Sequence, residues 1–376
     1  MCLRSLSRVT LLAASLAGLL LTAACGDDDV TPPPVDAGTD SGTDANILNK
    51  QLAMTNASIA MSDGNNAFAG SVALAETNLF AIDCQFELSG AMSGSGTVLK
   101  SGVGTLTFCG SNNFAGHLLV DTASAEANDG AVRITSSAAL QTVASPILIQ
   151  NTASGSSTLQ LDAGVVVAQA LSLAGRDVGV VALQNLGGTN MLAGDVTLEA
   201  GGTNYWFQSD SGVLNLSGAL PASTPGGFHE LTFLGAGEIL ISGFLTNGDG
   251  GATVAITKSG SGTLTLNTTN SYTGGTSLEQ GMIQANNSHA FGAEAINADS
   301  GTNIAHIVLG NGVTVTNSLS ASAVNPGGSF GLLSCSDFAS ATFAGPIVFF
   351  ADAASGGHFA GPTRGGISGP GSEDGS

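Results

Sequence analysis

"KSGSGTLTLN", residues 258–267, has a close twin at residues 100–107, "KSGVGTLT", and the two differ only where Val103 faces Ser261. In the stretch "GTLTL", Leu264 and Leu266 fall on one side of an extended chain while Thr263 and Thr265 fall on the other, the period of a half-buried strand. Neither copy holds a nucleophile beside a base, a pair of metal ligands or a cluster of charge. Similar short alternating runs ("VVALQ", "DVTLEA", "EILISG", "ATVAIT", "HIVLG", "VTVTN") recur along the chain, each bounded by Gly, Asn, Asp or Ser. No stretch after the N-terminal leader sustains a helical period with caps. The sequence predicts an all-β fold.

Composition agrees. Of 376 residues 54 are Gly, while Lys and Arg total 8 against 28 Asp and Glu. Charged helix formers are scarce, and Thr, Val, Ser, Asn and Gly suit short strands with tight turns. A formal charge of -20 leaves no basic surface for phosphates, so nucleic acid is excluded as a partner.

The N-terminus reads as a targeting segment. Arg4 and Arg8 precede an apolar run over residues 9–21, too short to span a membrane comfortably, and "LTAAC" ends at Cys25. This resembles a bacterial lipoprotein signal, with Thr22 where that signal usually has Leu. The resemblance implies lipidation of Cys25 and a membrane partner reached through the lipid; the alternative is an ordinary secretory signal cut after Ala24. Gly26 in the next position favours the outer membrane or cell surface. "GDDDVTPPPVDAGTDSGTDA", residues 26–45, has no apolar period and three successive prolines, and so reads as a disordered tether. The chain is thus expected to comprise a signal at 1–24, a tether at 25–46, one folded domain at 47–361 and a disordered tail at 362–376.

Within the folded part, short motifs return. "FAGSVAL" from Phe68 returns as "LAGDVTL" from Leu192 and "FAGPIVF" from Phe343. "LSG" at residues 88–90 returns at 216–218 and as "ISG" at 241–243, and "LDAGVVV" from Leu161 returns as "LGNGVTV" from Leu309. Taken in order they suggest two cycles of about 120 to 160 residues and the start of a third, as in a shortened relative of a longer protein. Held at a constant offset, the opening pair extends to Asn112 with Asn270, Phe114 with Tyr272, Gly116 with Gly274, and Ala127–Asn128 with Ala285–Asn286.

The longer stretch "KSGSGTLTLNTTNSYTGGTSLEQGMIQANN", residues 258–287, resembles the autotransporter-associated β-strand repeat, also called the passenger-associated transport repeat. Lys258, Gly260, residues 262–266, Asn270, Tyr272, residues 274–276 and Gly281 carry the likeness. The earlier copy is weaker, with Phe114 for Tyr and His117–Leu118 for Gly–Thr. The resemblance implies a right-handed parallel β-helix, built of stacked coils of about 20 to 25 residues. On it, residues 263–266, 276–278 and 282–285 would form the three sides of one coil. Leu264, Leu266, Leu278 and Ile283 would face inward, Gly274, Gly275 and Gly281 would take corners closed to a Cβ, and Asn270 and Asn286 would take left-handed corners. Cys84 and Cys109, 25 positions apart, would then stand on adjacent coils and pair, or remain two separate thiols. The sequence departs from autotransporters in showing no run of alternating strands after Phe330 for a membrane barrel.

Parallel β-helices include polysaccharide lyases and hydrolases, so chemistry was weighed residue by residue. After the signal, the cations are Lys50, Lys100, Lys258, Arg133, Arg176 and Arg364, widely scattered, with Lys100 and Lys258 in matching repeat positions. Asp162 and Asp177 make no better a carboxylate pair than other acids of an acidic solenoid. His117, His229, His289, His306 and His358 lack metal spacing. "NYWFQ", residues 204–208, gathers the one Trp and one of two Tyr, either as a core plug or as a sugar platform. The expectation is therefore an exported, lipid-anchored, non-catalytic scaffold with a structural, display or adhesive role. No catalytic residue, cofactor or metal is assigned, and the candidate partners are surface glycans or proteins. A carbohydrate-active β-helix enzyme is the alternative.

Overall fold

The computed structural model describes residues 9–12, 20–23, 51–120, 130–152, 155–176, 179–223, 226–248, 250–299, 304–323, 333–336, 340–351 and 367–368. Cys25, the tether and the pair Ala127–Asn128 lie outside them. Where one folded domain was expected, there are two compact units, residues 1–160 and 161–376. Both are parallel β-solenoids, as expected.

In the first unit each coil visits three sheets in turn. One holds Ser58–Met61, Thr77–Ile82, Thr97–Ser101 and His117–Val120; the next holds Asn65–Phe68, Gln85–Leu88, Thr105–Phe108 and Ala131–Ile134; the third holds Leu52–Thr55, Val72–Ala75, Met92–Gly94 and Asn113–Phe114. Asn65, Gln85 and Thr105 stand opposite one another, so a coil takes 20 residues there. The leader is not left apart. Val9–Leu12 and Leu20–Ala23 pair antiparallel, and the second lies parallel on Ser58–Met61, since an open sheet edge accepts an extended apolar segment.

The second unit has two long parallel ladders. One includes Asn204–Ser209, Phe228–Leu234, Thr253–Lys258, Thr276–Leu278, Ile296–Asp299 and Leu319–Ala323. The other includes Thr189–Leu192, Val213–Leu216, Glu238–Ile241, Thr263–Leu266, Gly281–Ala285 and Ala305–Leu309. The third side is short, as where Leu220–Pro221 lies on Leu245–Thr246 and Ser271 N donates to Leu245 O at 2.9 Å. This corrects the expected coil: residues 282–285 do not form its third side but stack on Thr263–Leu266 one coil later. The inward set is as expected, with Leu264, Leu266, Leu278 and Ile283 fully buried. Within the tail expected to be disordered, Ile367–Ser368 pairs with Ala341–Phe343.

The recurring "AG" and "SG" motifs prove to be one corner, met once per coil, and not stages of a longer cycle. Gly70, Gly90 and Gly110 stack after successive strands of the first unit; Gly194, Gly218 and Gly243 do so in the second. A Cβ on Gly90 would lie 1.9 Å from Gly70 O, on Gly218 2.2 Å from Gly194 O, and on Gly243 1.8 Å from Gly218 O. Backbone meets backbone there with no space between.

The same register separates the two cysteines. Cys84 precedes Gln85, which faces Thr105, whereas Cys109 follows Phe108, which faces Leu88. They sit at opposite ends of neighbouring strands, five positions out of step, because the coil here takes 20 residues and not 25. Cys109 occupies the small-residue corner slot of Ala69 and Ser89, and both thiols are free. Burial and the neighbouring Glu87, whose Oε1 is 3.2 Å from the sulfur, push the Cys109 thiol up to about 11.

Gly243→Ala is expected to lower the denaturant midpoint strongly, by about 3 kcal/mol or more, because the new Cβ meets a carbonyl that cannot swing away. Val103→Ala, at a side chain 45% exposed, should change stability by less than about 0.5 kcal/mol. Equal losses would show that the corner tolerates a side chain.

Candidate functional site

The two twin stretches place the same four side chains in the same four tasks. First, the lysine turns back into the corner that follows its strand. Lys258 Nζ donates to the carbonyls of Ser259 (3.3 Å), Gly260 (2.5 Å) and Gln280 (3.4 Å). Lys100 Nζ donates to Ser101 (2.8 Å), Gly102 (2.6 Å) and Ile82 (3.4 Å). Both are buried, and burial pushes the Lys258 ammonium down to about 8. The "KSG" turn is thus a carbonyl cage closed by an ammonium, and the following glycine, φ +94° at Gly260 and +84° at Gly102, aims the third carbonyl.

Second, the buried asparagine joins coils above and below. Asn270 Oδ1 accepts from Leu245 N at 2.9 Å while its Nδ2 donates to Ala290 O at 2.7 Å. Asn112 accepts from Met92 N and donates to Ala139 O, both at 2.9 Å. Left-handed backbone was expected at Asn270 and Asn286, but neither has a positive φ. Asn270 is needed for its amide, a donor and an acceptor on one rigid plane.

Third, the aromatic plugs the coil. Tyr272 is fully buried, with its hydroxyl 2.6 Å from Thr276 Oγ1. In the first copy Phe114 and Leu118 hold these places, both fully buried. The two departures that make that copy look weaker therefore compensate each other: losing the tyrosine hydroxyl goes with losing the threonine that pairs it.

Fourth, a glycine closes the next coil onto the cage. A Cβ on Gly281 would lie 2.3 Å from Gly260 O and 2.5 Å from Gly262 O; on Gly130 it would lie 2.2 Å from Gly104 O and 2.5 Å from Gly102 O. Gly130 is thus the counterpart of Gly281, and Ile134, opposite Phe108, takes the place of Ala285, opposite Leu266. The constant offset fails after Val120, since the first copy carries a longer connection.

With this geometry in view, the comparisons are specific. The passenger-associated-transport-repeat family model matches residues 98–122 and 256–285. The chain carries this repeat twice. The first match stops just where the longer connection begins. No curated protein and no solved structure matches the chain. Repeat and solenoid together make it an autotransporter-passenger-like protein.

The remaining candidates do not converge. Asp177 and His358 lie outside the described residues, and Asp162 Oδ1 accepts from Ala163 N in a tight turn. Among the described residues no group of three His, Cys, Asp or Glu is placed to hold a metal ion. Sequence reasoning missed one polar cluster. Tyr205 Oη donates to Glu199 O and lies 2.9 Å from His229 Nδ1, with Arg176 buried nearby and its guanidinium pushed down to about 10 by burial. These residues come from three successive coils, so no local spacing could have announced them. In "NYWFQ", Tyr205 and Phe207 are the core plug, whereas Trp206 faces outward and half-buried.

Tyr272→Phe alone leaves the buried Thr276 hydroxyl without its partner and should cost about 1–3 kcal/mol. Adding Thr276→Val should restore most of that loss in a double-mutant cycle; strictly additive losses would contradict the coupling. The lysine gives a pH signature. Lys258 sheds its proton near 8 when folded but near the ordinary 10.5 when unfolded. The unfolded chain holds the extra proton between those values, so stability should rise from pH 8 to 10.5 and be level below 8. Denaturant midpoints across that range should show the slope in the wild type and lose it in Lys258→Met.

Proposed function

We propose that this chain is an exported, lipid-anchored scaffold that displays a solenoid at the outer membrane or cell surface, with a structural or adhesive role and no catalysis. The observation that carries the proposal is the use of the repeat's polar residues. Each of Lys100, Lys258, Asn112 and Asn270 spends its hydrogen bonds on the backbone of its own or neighbouring coils. A polysaccharide lyase needs a base and cations aimed at substrate. Of the described cations, Lys100 and Lys258 serve carbonyl cages, Arg176 is buried, and Arg133 Nε donates to Gln160 Oε1 at 3.1 Å. Export and anchoring are supported by the leader and "LTAAC" together with the repeat family.

In cells fed a fatty-acid analogue, wild-type protein should label and fractionate with the outer membrane, while Cys25→Ala should be unlabelled and released. Labelling that survives the substitution would refute the anchor. Intact cells should bind an antibody to the solenoid. Purified protein incubated with neutral and acidic polysaccharides should release no reducing or unsaturated ends; steady release would establish the enzyme alternative.

A further inference from the structure

The only Trp of the chain stands on the outward face of the second unit. Trp206 lies in Asn204–Ser209, whose inward residues Tyr205 and Phe207 are fully buried, and it faces Thr232 of the next strand. That strand, Phe228–Leu234, turns Phe228, Glu230 and Thr232 to the same side, and Phe228 is 48% exposed. The ring of Trp206 is fixed by backbone. A Cβ on Gly179 would lie 2.0 Å from it, so the chain crosses its edge where only glycine fits.

Polar groups around the ring are fixed too. Glu230 Oε1 accepts from Thr257 Oγ1 at 2.6 Å. On the other side Gln208 faces Gln184, and both side-chain amides donate to the carboxylate of Asp210, Gln184 at 2.8 Å. Two aromatic surfaces therefore share one flat sheet face with oriented carboxylates and amides. Phe228 and Thr232 are four positions apart, about 13 Å along a strand, with Trp206 one strand further on, so the aromatics are about 14 Å apart.

We propose that this face binds a neutral oligosaccharide, lying across the strands from Trp206 to Phe228. The inference rests on the reading of the chain as a display or adhesive scaffold and supplies its ligand class. Aromatic faces pack against the C–H side of sugar rings, and preset amides and carboxylates meet hydroxyl groups, which donate and accept in turn. The separation of the two aromatics calls for an oligosaccharide and not a single sugar. Charge sets the class: Asp210 and Glu230 flank the ring in a chain of net charge -20, so uronate or sulfated chains are repelled.

Because Trp206 is the sole Trp, intrinsic fluorescence reports the site directly. Mature protein is titrated with maltohexaose, cellohexaose and xylohexaose, and in parallel with oligogalacturonate and a heparin-derived oligosaccharide. The expected result is a saturable change in the Trp206 signal with at least one neutral sugar and none with the anionic chains. Phe228→Ala should weaken binding by about tenfold, the loss of one aromatic contact. Glu230→Gln should weaken it as well, with circular dichroism and unfolding midpoint unchanged in both variants. No response to any neutral sugar, an equal response to the anionic chains, or full affinity in both variants would each overturn the proposal while leaving the scaffold reading intact. Recovered sugar should be uncleaved by chromatography; cleavage would instead overturn the non-catalytic reading and leave the platform standing.

Discussion

Successive coils approach until their backbones touch, and the corners are where this is tightest. Strands in a ladder lie about 4.8 Å apart whatever their side chains, because hydrogen bonds fix the distance. On a flat side the Cβ atoms stand clear, above and below the sheet. At a corner the chain turns and the next Cβ points into the coil beneath, which is why Gly243 sits over Gly218 and Gly218 over Gly194. The high glycine content follows from this constraint repeated coil after coil. Each coil is stabilised mainly by its neighbours, so a corner that cannot close is felt on both sides.

The polar residues of the repeat solve the second half of the same problem. Turning the chain sharply leaves carbonyls that no sheet partner reaches, and a buried unpaired carbonyl costs about 1–3 kcal/mol. Lys100 and Lys258 serve up to three such carbonyls with one ammonium, and Asn112 and Asn270 serve one donor above and one acceptor below. These devices explain why the stretch is chemically quiet toward solvent. Its reactive-looking groups are already committed inside.

Much of this was legible in sequence where the signal was local. The alternation of Leu264 and Leu266 with Thr263 and Thr265, and the Gly-x-Gly spacing, are properties of neighbouring residues, and both predicted the observed strand and its inward face. What failed depended on where one coil ends and the next begins. Residues 282–285 were one side too early because nothing in the sequence counts sides. Cys84 and Cys109 seemed paired because the first unit's coil is shorter than a 25-residue spacing requires. The Tyr272–Thr276 pair became intelligible only once Phe114 and Leu118 were seen in the same two places. The Arg176, Tyr205 and His229 cluster was invisible, since its members are brought together only by stacking.

The central claim is that the repeating unit is the coil and that its function is to stack. Its most direct test is removal of one whole turn. Val213 and Glu238 occupy equivalent places on adjacent strands, so deleting residues 213–237 brings Glu238 to the position of Val213 with every corner preserved. The account predicts a folded protein with unchanged β-sheet circular dichroism per residue and a single cooperative unfolding transition. Deleting residues 213–225 instead should abolish that transition. If both deletions unfold the chain, or both leave it folded, the stacked coil is not the unit on which the structure is built.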